Sequence, residues 1–191
     1  MTLSNSEKKE LILIPLKLLL ICAVIALLVS FVNGITADRI AANDAAKTNA
    51  ALTEAFPDAA GFSTYDGEIT TANVVSAHEA LDADGNVIGY AVICEPVGFK
   101  DVIKMLVAFD TDEVITSVSI SSLSETPGIG DKVKSSETFT AQFAGKSSEL
   151  VVGKNVDAIS GATISSKAVT TGVNSAVECI NEIYGNGGAA E

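Results

Sequence analysis

Residues 72–94 read ANVVSAHEALDADGNVIGYAVIC, two apolar runs separated by a polar segment. The runs, 72–81 and 87–94, are rich in Val, Ile and Ala, and the segment between them, 82–86, contains two Asp, a Gly and an Asn. Apolar runs of strand length on either side of Asp, Asn and Gly predict a β-hairpin. The stretch therefore predicts two antiparallel strands joined by a tight turn.

The same pattern occurs once more, immediately downstream. Residues 102–109 and 114–120 are apolar runs that flank the polar segment 110–113, which again carries two Asp. Two similar units without a sustained period indicate common turn chemistry rather than a repeat protein. With helix-favouring segments before and after the hairpins, we predict one α+β domain of antiparallel β-hairpins and flanking helices.

Upstream of the hairpins lies a long apolar segment, 11–35, in which 17 of 25 residues are Leu, Ile, Val or Phe. As a helix it would be roughly 37 Å long, which is enough to cross a hydrocarbon core of about 30 Å. A cleaved secretory signal is the alternative, since Lys8 and Lys9 precede the apolar run and Ala37 could end a weak cleavage site. The length of the run favours an uncleaved anchor.

The charge distribution predicts the orientation of this anchor. Residues 1–37 carry a net charge of +1, whereas the rest of the chain carries −13. Lysines near the N-terminal end of a membrane helix favour a cytoplasmic N-terminus. We therefore expect a single-pass protein of the inner (cytoplasmic) membrane, divided into a cytoplasmic N-terminus (1–10), a transmembrane helix (11–35), a helical connector (36–57) and an extracytoplasmic domain (58–191).

Composition excludes several classes of function. The chain has 191 residues and a net charge of −12, with no cluster of basic residues, so we expect no binding to nucleic acid. One histidine and three cysteines without a C-x-x-C pair predict no metal site. We interpret the cysteines as buried thiols rather than ligands; they are Cys22, Cys94 and Cys179.

Two glycine-containing segments, 124–132 (SETPGIGDK) and 157–166 (DAISGATISS), remain unexplained by this scheme. The first suits a long turn, with Pro127 and Gly128 at the positions that a type II turn prefers. The second precedes a predicted helix that Ser165 or Ser166 can cap, and the helix N-terminus would favour a phosphate beside Thr163. On physical grounds alone, an ordinary turn and a hydroxyl-rich helix cap remain the alternatives. The helix has one apolar face, formed by Val169, Val173, Val177, Ile180 and Tyr184.

The motif Asp157-x-x-Ser160-Gly161-Ala162-Thr163 resembles the flavinylation signature of a known family. The family is the FMN-binding domain found in the G subunit of the Rnf electron-transport complex and in the C subunit of the sodium-translocating NADH:quinone reductase. The resemblance implies that Thr163 carries FMN covalently through its phosphate, attached by a magnesium-dependent flavin transferase that recognises residues from Asp157 to Thr163. It further implies cofactor contacts from the two segments, with these candidates: Ser160, Gly161, Ala162, Ser165, Glu125, Thr126, Pro127 and Gly128.

The compact size and the loop 125–132 are more similar to the Rnf protein than to the longer quinone-reductase protein. By that resemblance the chain relays electrons in a membrane complex between ferredoxin and NAD, coupled to sodium or proton translocation. It would be an electron-carrying subunit with no complete catalytic site of its own, and its partners would be the other subunits, the transferase and the lipid bilayer. The alternatives are the C subunit of the quinone reductase, or an anchored structural or ligand-binding domain without a cofactor.

Overall fold

The computed structural model describes residues 5–126, 128–147 and 149–184, with the backbone alone for residues 5–12 and 184. The chain divides into two compact units, Met1–Ala46 and Lys47–Glu191. The second unit holds the folded domain that positions the candidate site.

The first helix, α1, runs without a break from Asn5 to Ala55. Residues 36–55 of the predicted connector therefore belong to the same helix as the apolar segment. Within the described part of the chain, α1 alone is long and apolar enough to cross a membrane. Its large apolar side chains are exposed, with Leu27 71% and Phe31 69% accessible, which suits a lipid environment better than water.

The folded domain is built on one antiparallel sheet of five strands. The strands are β1 Gly61–Thr64, β2 Val74–Leu81, β3 Val87–Cys94, β4 Lys104–Phe109 and β5 Ile115–Ser122, and they lie in chain order across the sheet. Both predicted hairpins are confirmed, as β2–β3 and β4–β5, and so is the α+β class. Sequence analysis missed β1, which is only four residues long.

Side-chain alternation along β4 divides the interior into two apolar clusters. Met105, Val107 and Phe109 belong to one cluster, whereas Leu106 and Ala108 belong to the other. Because neighbouring side chains of a strand point to opposite faces, both faces of the sheet are covered. This explains why β4 is a nearly continuous apolar run, in which every residue from Met105 to Phe109 is buried.

The two faces are covered by different helices. The last turns of α1 pack on one face, where Ala51 and Leu52 join a cluster of mostly small strand residues. On the other face lie two short helices, α2 Lys132–Ser135 and α3 Glu137–Thr140, and the long helix α4 Thr163–Tyr184. A short 3-10 turn, Ala141–Phe143, follows α3.

Helix α4 presents a wider apolar face than the sequence pattern predicts. Val169, Val173 and Ile180 are fully buried, as expected, and Ala176 and Cys179 are buried beside them. Val177 is only partly buried against this cluster. The side chain of Tyr184, the last residue of the predicted face, lies outside the described residues.

The start of α4 corrects one expectation. The helix begins at Thr163, so Ser165 and Ser166 lie within its first turn and do not cap it. The Ser166 hydroxyl instead accepts a hydrogen bond from the Ile159 N–H at 3.1 Å. Ser166 therefore ties the preceding loop to the helix, because its side chain points back towards residue 159.

Candidate functional site

The two glycine-containing segments meet at one cavity. The cavity has a volume of about 350 Å³ and lies at the N-terminal end of α4. Of the predicted site residues, Glu125, Thr126, Gly161, Ala162, Thr163 and Ser165 line it. The remaining lining residues are Ile129, Gly130 and Ile164, which lie within the two predicted segments, and Phe99, which lies in neither.

Glycines allow both loops to turn at the cavity. Gly128 has φ +77° and Gly161 has φ +81°, a left-handed conformation that side chains with a Cβ rarely adopt. The φ of Gly128 agrees with the second central position of a type II turn. Pro127, predicted to occupy the first central position and to contact the cofactor, lies outside the described residues.

Thr163 is the first residue of α4, and its side chain is exposed at the cavity. The first backbone hydrogen bond of the helix joins the Ser166 N–H to the Ala162 carbonyl at 2.8 Å. The N–H groups of residues 163–165 therefore have no partner within the helix. Together with the helix dipole, about half a positive charge, they favour an anion beside the Thr163 hydroxyl.

Glu125 lines the cavity and is nevertheless buried, with only 6% of the residue exposed. One carboxylate oxygen, Oε1, accepts hydrogen bonds from the N–H groups of Phe99 at 2.8 Å and Lys100 at 3.3 Å. The other, Oε2, accepts from the Ser165 hydroxyl at 3.2 Å. Glu125 thus joins the loop at Phe99 to the first turn of α4.

The loop at Phe99 is the part of the site that sequence analysis missed. It closes with a hydrogen bond from the Gly98 N–H to the Asp101 carbonyl at 2.9 Å. The Phe99 side chain lies at the cavity and is 66% exposed. A large aromatic residue that follows Gly and precedes two charged residues is a weak signal of an exposed turn, and it was the only signal in the sequence.

Two predicted residues, Asp157 and Ser160, are exposed and do not line the cavity. The backbone of Asp157 is held by Gln142, whose Oε1 accepts from its N–H at 2.8 Å and whose Nε2 donates to its carbonyl at 3.3 Å. Further along, the Ala162 N–H donates to the Ile159 carbonyl at 2.9 Å. The signature is therefore a turn held at both ends, with Ser160 and Gly161 at the surface. Gly128, although close in sequence to lining residues, does not line the cavity either.

None of the cysteines lines the cavity. All three are free, and Cys94 and Cys179 are buried, as interpreted. The interpretation is wrong for Cys22, which is exposed because it lies in the apolar segment of α1, whose described side chains have no protein packed against them. Burial, and then the nearby Cys179, raises the pKa of Cys94 to about 12. Burial, and then the charge of Glu182, raises the pKa of Cys179 to about 11. Neither thiol forms an appreciable amount of the nucleophilic thiolate at neutral pH.

Comparison with known proteins gives matches over most of the chain. A family model described as the FMN-binding domain matches residues 98–178. This range includes the loop at Phe99, the segment that contains Glu125 and the start of α4, which together line the cavity. The G subunit of the ion-translocating oxidoreductase complex of Methanosarcina acetivorans is 33% identical, over 92% of this chain and 97% of that protein. The G subunit of the Na(+)-translocating ferredoxin:NAD(+) oxidoreductase complex of Acetobacterium woodii is also 33% identical, over 84% and 87% of the two chains.

A solved structure resembles the fold. The crystal structure of Shewanella oneidensis NqrC matches with a TM-score of 0.50 and 24% sequence identity, over 71% of this chain and 74% of that chain. At that identity the likeness concerns the fold alone.

Proposed function

Because the chain belongs to the G-subunit family of ion-translocating oxidoreductase complexes, we propose that it is a membrane-anchored flavoprotein that relays electrons through FMN within such a complex. The relatives carry names for both sodium-translocating and proton-translocating complexes, and the proposal covers either ion. The C subunit of a quinone reductase, the alternative from the sequence, shares the fold, but the relatives at 33% identity over most of their length are G subunits.

The cavity fits the two chemically different parts of FMN. Three of its lining residues, Phe99, Ile129 and Ile164, are large, apolar and at least half exposed, which suits a planar aromatic ring. The N-terminus of α4 suits a phosphate. When bound, the isoalloxazine ring supplies one-electron or two-electron transfer, and the protein supplies its attachment, orientation and electrostatic environment.

The observation that carries the proposal is the position of Thr163. Thr163 is an exposed residue that lines the cavity, and it begins α4, where the first N–H groups have no partner within the helix. A phosphoester at its hydroxyl oxygen would place the phosphate where the helix dipole favours a negative charge. We assign Thr163 as the attachment residue, with the FMN bound covalently through its phosphate.

A separate enzyme must carry out that attachment, because a threonine hydroxyl is a weak nucleophile at neutral pH without a neighbouring base. His78, the only histidine of the chain, lies on β2 and contacts Thr64 and Ser76. The carboxylate of Glu125 contacts Ser165 rather than Thr163. We therefore assign the step to a flavin transferase and propose that it recognises the exposed Asp157 and Ser160.

Helix α1 supplies the membrane anchor in this proposal. Lysines at its N-terminal end and the strongly acidic domain after it favour a cytoplasmic N-terminus and an extracytoplasmic flavin. The other subunits of the complex would donate electrons to the flavin and accept them from it. Tethering prevents the loss of the cofactor from the extracytoplasmic side.

The test is peptide mass spectrometry of the full-length protein extracted from the native membrane. We expect the peptide that contains Thr163 to carry the mass of FMN less one water. We expect Thr163→Val to fold normally and lose the covalent flavin. Thr171→Val is the matched control, because Thr171 is an exposed threonine of the same helix, and it should retain the flavin.

Two results would contradict the proposal. A colourless protein with an unmodified Thr163 peptide, from cells with an active flavin transferase, would leave an anchored domain without a cofactor, which is the alternative function. Flavin that stays bound to Thr163→Val through denaturation would place the attachment at another residue.

A further inference from the structure

Glu125 is a buried acidic residue at the cavity that the proposed attachment chemistry does not use. Its two oxygens accept three hydrogen bonds, from two backbone N–H groups and the Ser165 hydroxyl, and no ion pair involves it within the described ranges. Burying a carboxylate without a cation is costly even when it is hydrogen-bonded. A neutral side chain could join the same loops without the free-energy cost of burying a charge. The presence of a carboxylate at this position therefore requires an explanation.

The surrounding backbone is shaped around this carboxylate. A Cβ added at Gly98 would overlap Oε1, and one added at Gly130 would lie 2.7 Å from Oε2. Both contacts are far shorter than real Cβ atoms allow. The carboxylate is thus enclosed between two glycine turns and α4, where it has little freedom to move away from the cavity.

A buried charge acts strongly on a nearby redox group because little water screens it. Two-electron reduction of a flavin at neutral pH takes up two electrons and one proton, so the ring gains one negative charge. A fixed negative charge beside the ring opposes that gain and makes the reduction potential more negative. Glu125 lines the same cavity as Thr163, so its charge lies on the wall of the site that would hold the ring.

We propose that Glu125 is a positioning residue that also lowers the reduction potential of the bound flavin, through its enclosed negative charge and its bonds to the loop at Phe99 and to Ser165. The proposal rests on the proposed function. In the complex the electrons come from a partner redox protein; in the experiment below they come from dithionite through mediator dyes.

The test compares two substitutions in the full-length flavinylated protein. Glu125→Gln keeps the size of the side chain and an oxygen that can accept from Phe99 and Lys100, but removes the charge. Glu125→Asp keeps the charge but is one methylene too short for the hydrogen bonds. We expect the midpoint potential, measured by spectroelectrochemical titration, to shift to a clearly more positive value in Glu125→Gln and to stay closer to that of the wild type in Glu125→Asp.

A purely structural role predicts the opposite order, because the shorter Asp disturbs the loops more than the isosteric Gln. A potential unchanged in Glu125→Gln, or shifted more in Glu125→Asp, would overturn the proposal. Glu178→Gln removes an exposed carboxylate from the outer surface of α4 and is the matched control, with no shift expected. If the wild-type protein carries no flavin, the proposed function fails instead, and mass spectrometry of the same sample separates the two failures.

Discussion

Gly98 is a residue of the candidate site at which there is no room for a side chain. A Cβ at this position would meet the Glu125 carboxylate, the Asp101 carbonyl at 2.8 Å and Cδ1 of Ile103 at 3.1 Å. The carbonyl belongs to the backbone and closes the turn through its bond with the Gly98 N–H, so it cannot move without breaking the turn. Gly98 is therefore needed for close packing, and not for an unusual backbone angle.

We predict that Gly98→Ala destabilises the domain by about 1–3 kcal/mol, the usual cost of an overpacked site. The measurement is thermal unfolding of the detergent-solubilised protein, followed by circular dichroism. Gly61→Ala is the control, because a Cβ at Gly61 meets no atom within 4 Å. An equal melting temperature for Gly98→Ala and the wild type would mean that the Glu125 side chain moves away at no cost.

At the scale of elements, the two hairpin turns share one stabilising arrangement. The Asp82 Oδ1 accepts from the N–H groups of Asp84 at 2.9 Å and Asn86 at 2.8 Å. The Asp110 Oδ1 accepts from those of Asp112 and Val114, both at 2.9 Å. In each turn an aspartate takes the place of a backbone acceptor, which is the turn chemistry inferred from the sequence.

This arrangement makes the β2–β3 turn sensitive to acid. The hydrogen bond from the Asn86 side chain, followed by that from its backbone, lowers the pKa of Asp82. A carboxyl group whose pKa falls on folding stabilises the fold above its ordinary pKa, and the effect disappears as the pH falls through the folded-state value. Asp82→Ala should therefore lower the melting temperature at neutral pH, and by a smaller amount in acid.

The measurement is the melting temperature of Asp82→Ala and the wild type across a pH series. Asp84→Ala, an exposed residue of the same turn, should lower it less at neutral pH. A difference between Asp82→Ala and the wild type that does not change with pH would contradict the electrostatic explanation, and would assign the effect to turn propensity alone.

At the scale of the whole molecule, the charge asymmetry along the chain predicts which side of the membrane the domain occupies. Residues 1–37, which include the anchor segment, carry a net charge of +1, and the rest of the chain carries −13. We expect a membrane-impermeant maleimide to label Ser124→Cys, an exposed loop residue, in intact cells. Ser6→Cys should react only after the membrane is made permeable. The reverse pattern would invert the proposed orientation.

The positions of the native cysteines and a wild-type control make this labelling interpretable. Cys94 and Cys179 are buried, and Cys22 lies in the apolar part of α1. The wild-type protein, treated in the same way, measures any background from these three thiols.

The sequence by itself determined the features that depend on neighbouring residues. They are the apolar anchor segment, the two hairpins with their aspartate turns, and the motif that ends at Thr163. Each follows from side-chain pattern over a few residues, because hydrophobic periodicity and turn chemistry are local. The strand bounds were correct to within about two residues, whereas β1 was too short to give a pattern.

Only the tertiary structure decided how the candidate site is assembled. The bond between Glu125 and Ser165 joins residues 40 apart in sequence, and that between Glu125 and Phe99 joins residues 26 apart. No local pattern predicts such contacts, because they depend on how α4 packs against the sheet. For the same reason, the sequence identified Glu125 only as a possible cofactor contact, and packing revealed it as a buried charge between three segments.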